Sequence, residues 1–274
     1  MLRVAAALIC ASALAVAQEP TAPEPVKLSV ELNSVLDMKQ GESVMLETKT
    51  RFKLDYSLSV GKTKYEVSLN RLTQVLSRNG QVERDIDFHA DGAKQGSMQT
   101  SFVDAPKGLQ RMLEHTFRHP LCIQQVDADR RDVRSYVVAK PGASDFVNKG
   151  MLNLVLFFHA PFPQEGESWT ARRVFTLGGG DSAEGELTYT RGETDAEGRV
   201  TVGVKGTLKG QVPLEGPVSA VQTYELEGTQ VFDPKLLHYT SGELQATFTM
   251  DVGANGQTLG QGTGTATVKL VRRD

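Results

Sequence analysis

The chain has little that would staple a fold together or anchor a redox centre. Its 274 residues include two cysteines, Cys10 and Cys122, and a single tryptophan. Cys10 sits inside an N-terminal apolar run, and with that run removed Cys122 has no intrachain partner, which excludes a disulfide framework. The formal charge of −3 is too small to draw the whole molecule to nucleic acid or to an anionic membrane surface. No apolar run reaches the roughly 20 residues of a membrane-spanning helix. Neither H-E-x-x-H nor G-x-S-x-G occurs, and the glycine-rich stretch Gly260 to Gly264 has no P-loop lysine and no following helix. No cofactor is expected, and no motif points to an enzyme. What remains must be held by an apolar core and by strand ladders.

The N-terminus has the layout of an export signal. Arg3 precedes an apolar run from Val4 to Ala15 broken only by Ser12, and Ala15-Val16-Ala17 gives the small-x-small cleavage pattern. Residues 1–17 are read as a signal peptide and 18–26, with Pro20, Pro23 and Pro25, as a Pro-rich lead. Loss of Arg3 takes the formal charge from −3 to −4. Lipidation at Cys10 is disfavoured because Ile9, not a small residue, precedes it. An exported protein, periplasmic or extracellular and without a transmembrane span after cleavage, is expected.

Residues 27–274 read as one β-rich domain. From Val44 to Val60 the even positions carry Val44, Leu46, Phe52, Leu54, Tyr56, Leu58 and Val60, while Glu47, Lys49, Arg51, Lys53 and Asp55 fill odd ones. Alternate side chains of a strand point to opposite faces, so this is a ribbon with one apolar and one charged side. Lys62 to Leu76 returns as its partner, and Asn79-Gly80 marks a tight turn into Val82 to Phe88. The same alternation recurs at Val200 to Leu208, at Leu244 to Val252 and at Ala266 to Leu270, with turns at Asp195 to Gly198, Asp233-Pro234 and Asn255-Gly256. Short links between successive strands imply an antiparallel meander. The two stretches Gln40 to Val44 and Glu165 to Trp169 share Gly-Glu-Ser, so two related halves, 27–140 and 160–274 joined by a helix over 144–159, are an alternative organisation.

Two segments have helical rather than alternating spacing. Lys107 to His119 places Leu109, Met112, Leu113 and Phe117 on one face and stops at Pro120. Asp145 to His159 is apolar on almost every side, from Phe146 through Met151, Leu154, Phe157 and Phe158, and must therefore be buried nearly all round. The fold expected is a large curved antiparallel sheet, a half-barrel or open barrel-like meander, with one or two helices packed in its concave side.

Candidate chemistry is sparse. His115 and His119 lie four apart with Cys122 three further on, a set that would offer a metal two imidazoles and a thiolate. Pro120 interrupts the helix between them and no fourth ligand follows, so a metal site is not favoured. In Gly178-Gly179-Gly180-Asp181-Ser182 the serine falls between two strand patterns rather than at the strand-to-helix turn a nucleophile elbow needs. The apolar segment carries more: a core helix on one reading, on the other the lining of a groove formed by Met151, Leu154, Phe157, Phe158, Phe162 and Trp169 that takes a lipid or acyl chain.

Strand series enclosing helices behind a signal peptide and a Pro-rich lead resemble, in layout, the half-barrels of periplasmic lipoprotein carriers. The Gly-Glu-Ser-Trp stretch, Gly166 to Trp169, followed by a β meander with Gly-x-Val turns, is similar to bacterial exported and lipoprotein β-rich families. These resemblances imply binding of a hydrophobic ligand or of an envelope partner, and they carry no catalytic residue over. A structural or protein-interaction β module without ligand is the alternative, and a hydrolase with dispersed residues ranks below both.

Overall fold

The computed structural model describes residues 24–40, 43–61, 64–89, 117, 120–126, 133–138, 155, 157–158, 166–177, 181–213, 218–236, 238–254 and 257–273. Among these, twelve strands form one antiparallel sheet. In chain order they are β1 (Val26–Gln40), β2 (Ser43–Val60), β3 (Lys64–Arg78), β4 (Gln81–His89), β5 (Cys122–Val126), β6 (Val133–Val138), β7 (Ser168–Leu177), β8 (Asp181–Thr194), β9 (Val200–Pro213), β10 (Val218–Asp233), β11 (His238–Ala254) and β12 (Gln257–Arg273). Their order across the sheet is β6-β5-β3-β2-β1-β12-β11-β10-β9-β8-β7. The two ends of that order do not pair with each other, so the sheet is open. β3 forks: Lys64 to Val67 pair with β5, and Arg71 to Arg78 pair with β4.

The middle of the sheet is the seam between the first and last strands. β1 pairs with β2 from Val26↔Leu58 to Gln40↔Ser43, and with β12 from Lys27↔Arg273 to Lys39↔Gln261. This register sets Val30 beside Leu54 and Leu270, and Leu32 beside Phe52 and Val268. Except for half-buried Phe52, these side chains are essentially closed to solvent. Each such burial is worth about 1.5–3 kcal/mol. On the opposite face the same register lines up charge. Glu31 meets Lys53 at 3.2 Å and Lys269 meets Glu243 at 2.9 Å, exposed pairs that contribute roughly 0–1 kcal/mol each. β1 begins at Val26, one residue inside the segment read as the Pro-rich lead.

Turn chemistry follows the sequence. Asn79 and Gly80 both have positive φ, 48° and 78°, as a two-residue hairpin with right-handed twist requires. The Asn79 side-chain oxygen accepts from the Glu47 N–H at 2.8 Å. Between β8 and β9 the Asp195 carboxylate accepts from the backbone of Glu197 and Arg199, at 3.0 and 2.8 Å, an Asx turn closed by Gly198.

The sheet is curved toward its apolar face. β2 and β11 stand three steps apart, about 14 Å on a flat sheet, yet the Tyr56 hydroxyl lies 3.4 Å from His238 Nε2. β8 and β11 are also three steps apart, and the Tyr189 and Tyr239 rings are stacked with centroids 6.5 Å apart. Only a concave face brings such pairs together. In the half of the sheet near the β1–β2 and β11–β12 turns, β12 turns glycine inward. A Cβ on Gly262 would fall 2.5 Å from the Met38 sulfur, and one on Gly264 2.4 Å from the Phe248 ring. The missing side chains let larger neighbours lie across the strand.

Of the two segments expected to be helical, most residues lie outside those described. Phe117, Val155 and Phe157 have helical backbone, and all three, with Phe158, belong to the buried cluster on the inner face. The fold is thus mainly β, with helical structure reduced to these short pieces among the described residues.

Candidate functional site

The inner face carries an aromatic and polar cluster at the end where the helical residues pack. It begins with a β-bulge. Val231 pairs with Ser241 and Phe232 with Tyr239, so Thr240 is an extra residue in β11. The insertion reverses the alternation: Gly242 and Leu244 face inward, and so does Tyr239, where an unbroken strand would point it out. Tyr239 packs on Phe232 with ring centroids 5.3 Å apart and stacks near Tyr189. Tyr189 in turn stacks on Trp169, 5.4 Å apart and 9° from parallel. The Tyr239 N–H donates to the Phe158 carbonyl at 3.0 Å, which ties the helical segment to β11.

His238 links β11 to β2. Its Nδ1 lies against the Tyr239 backbone carbonyl, an acceptor only, so Nδ1 carries the proton and Nε2 accepts from the Tyr56 hydroxyl. Burial pulls the His238 pKa down to about 4, against a smaller upward push from its hydrogen bond to the Tyr239 backbone. The imidazole is therefore neutral near pH 7. Burial likewise raises the Tyr56 and Tyr239 phenols far above their usual range.

Arg173 brings a cation to this face. On β7 it follows Trp169 and Ala171 at alternate positions, which turns it inward. Its Nε donates to the Tyr189 hydroxyl at 2.8 Å. Its Nη2 is closed to solvent and has no hydrogen-bond partner, and the same is true of the Tyr239 hydroxyl and of Gln230 Nε2. Burial raises the Tyr189 phenol, and the charge of Arg173 opposes that shift. Arg173 also acts electrostatically on Tyr239. Among the described residues no carboxylate pairs with Arg173.

Of the six groove residues expected from sequence, three lie among the described residues. Phe157 and Phe158 pack edge to face, 5.3 Å apart, and are buried in the core. Trp169 is half-buried and packs against the same cluster. Met151, Leu154 and Phe162 lie outside the described residues. So do His115 and His119, and of Cys122 only the backbone, at the start of β5, is described. Among the described residues no group of three metal-ligating side chains gathers.

Two surface concavities lie elsewhere, chiefly on the outward face of β1 and β9 to β12. One, of about 450 Å³, is lined by Asp37, Thr223, Thr249 and Thr263 among others, and the second, of about 530 Å³, by Lys205, Thr207, Glu227 and Thr267. They share Glu225, Thr247 and Thr265. These are polar troughs between ladder side chains, and neither touches Phe157, Phe158 or Trp169.

No family model and no curated protein matches the chain. Among solved structures it is similar to one of lipovitellin, determined for its lipid–protein interactions, at 9% identity and a TM-score of 0.51. The match covers 91% of this chain and 25% of that one, so the chain spans a quarter of lipovitellin's length. At that identity the likeness is one of fold alone. A superposition on Pseudomonas aeruginosa OccK7 (OpdD), at 8% identity over 91% of this chain and 98% of that one, has a TM-score of 0.19 and carries no weight.

Proposed function

We propose that the chain is an exported, non-enzymatic protein that binds a hydrophobic ligand, a lipid or acyl chain, against the concave face of its sheet. The observation that carries this reading is the extent of that face. Its apolar alternation continues past the packed core, through Leu36 and Met38 on β1, Leu46 on β2 and Met250 and Val252 on β11, all only half-buried. An open curved sheet with half-buried apolar positions on its hollow side is a surface that water wets at a cost and a hydrocarbon chain relieves. The lipovitellin likeness supports the reading as an analogy of fold. So does the layout shared with periplasmic lipoprotein carriers, and the signal-like N-terminus supports a periplasmic or extracellular location. Phe157, Phe158 and Trp169 then line the inner end of the site.

Native mass spectrometry of the protein recovered from its own source tests this directly. A co-purifying amphiphile that leaves on delipidation and returns on addition is the expected result. Absence of any bound lipid, together with no displacement of a fluorescent fatty-acid probe, would overturn it.

A second reading, a module that docks an envelope protein, is favoured by one observation. Met45 and Leu259 are 61% and 50% exposed, and each is the extra residue of a bulge beside neighbouring hairpin turns. A variant with both changed to Ser that keeps its lipid but loses a partner captured from envelope extracts would separate the two readings.

A further inference from the structure

We propose that Arg173, with Tyr189 and Tyr239, forms an oxyanion site on the concave face and receives the charged head of an amphiphile whose chain lies along the apolar strands. This rests on the lipid-binding reading and adds to it a head-group class: a carboxylate or a phosphate.

Donors on this face stand without acceptors. A guanidinium nitrogen withdrawn from water without a partner is costly, and mobile loops or solvent cannot repair it once the atom is closed off. Arg173 Nη2 is in that state, and the Tyr239 hydroxyl and Gln230 Nε2 are too. Tyr239 and Gln230 are almost completely buried. Three buried donors without acceptors on one face call for a group that only accepts. The inward positions around Arg173 on β7 and β8 are Trp169, Ala171, Leu187 and Tyr189, none of them acidic.

The geometry selects the shape of the acceptor. Because Nε is engaged by Tyr189, the side of the guanidinium left open is the Nη1–Nη2 fork, which matches two oxygens of one carboxylate or phosphate. Tyr189, accepting from Nε, keeps its own proton to donate. Burial holds both phenols protonated, so each stays a donor at neutral pH. Trp169, stacked on Tyr189, and the neighbouring core supply the start of an apolar path for the chain.

Trp169 is the only tryptophan, so its emission reports on this site without labelling. Delipidated protein is titrated with oleate, with oleyl alcohol and with inorganic phosphate, in the wild type and in Arg173→Gln and Arg173→Lys. The expected result is oleate binding about ten- to a hundredfold tighter than oleyl alcohol in the wild type. Arg173→Gln should bring oleate affinity down to about that of the alcohol with the circular dichroism unchanged, and Arg173→Lys should keep part of the difference. Phosphate binding that depends on Arg173, without binding of either amphiphile, would support the oxyanion site and remove the lipid reading. Equal affinity for oleate and oleyl alcohol would overturn the oxyanion site and leave the lipid reading standing. No response to any of the three probes would overturn both.

Discussion

The two ends of the same strands behave differently. At one end of β1, β2 and β12 the inward side chains Leu28, Val30, Leu54, Tyr56, Leu58, Val268 and Leu270 are at most 1% exposed, in one buried cluster with Phe157 and Phe158. At the other end Leu36, Met38 and Leu46 are half-buried. The inward positions of that half also include Ser34, Thr48 and Thr50 and the β12 glycines Gly262 and Gly264. What differs is the inward set and, among the described residues, the company it keeps: Phe157 and Phe158, about a hundred positions away in the chain, join the cluster at the dry end. Alternation decides which face a residue joins; a distant segment decides whether that face is dry.

Phe158→Ala should break this contrast most severely. It removes a fully buried ring from the covered end, and a loss of about 3–5 kcal/mol in urea unfolding is expected. A loss below about 1 kcal/mol would mean that the helical segment does not seal the sheet. Next comes acid. His238 is buried neutral with its pKa near 4, against 6.5 unfolded. The unfolded chain therefore binds a proton that the folded chain does not, and stability falls as pH drops from about 6.5 to about 4. At roughly 1.4 kcal/mol per unit the loss is about 3 kcal/mol. His238→Asn, which can still donate to the Tyr239 carbonyl, should be less stable at pH 7 but lack that step; an unchanged pH profile would contradict the assignment. A smaller effect is expected of Gly264→Ala. Its Cβ would fall 2.3 Å from the Val35 carbonyl oxygen and against the Phe248 ring, so a loss of about 1–3 kcal/mol from overpacking should appear in the melting curve. Smallest is Met45→Ser at the open end, where a change within about 0.5 kcal/mol is expected.

Much of the architecture was legible because alternation is local. The ribbon from Val44 to Val60, the Asn79-Gly80 hairpin and the strands of the last third stand where their periodicity puts them. β1 carries the same signal, Leu28, Val30 and Leu32 between Ser29, Glu31 and Asn33, but it follows directly on the prolines and was not read as a separate strand. Its pairing with β12, which makes the seam of the sheet, joins positions more than 200 apart, and nothing in either strand announces the other. The cluster at the covered end was hidden for a similar reason. Tyr56 and His238 are 182 positions apart, and Tyr239 faces inward only because Thr240 is bulged. Arg173 did leave a trace. An arginine at the inward beat of Trp169 and Ala171 is a charge where the pattern calls for an apolar residue, and such a conflict marks a site more often than a flaw.

The most direct measurement of the account compares oleate binding to the delipidated wild type and to a Met38→Glu, Leu46→Glu double variant, which charges the open half of the hollow face without touching the packed half. Affinity should drop by at least about tenfold while the sheet signal in circular dichroism is retained. Undiminished binding in a folded double variant would contradict the claim that this face holds the ligand.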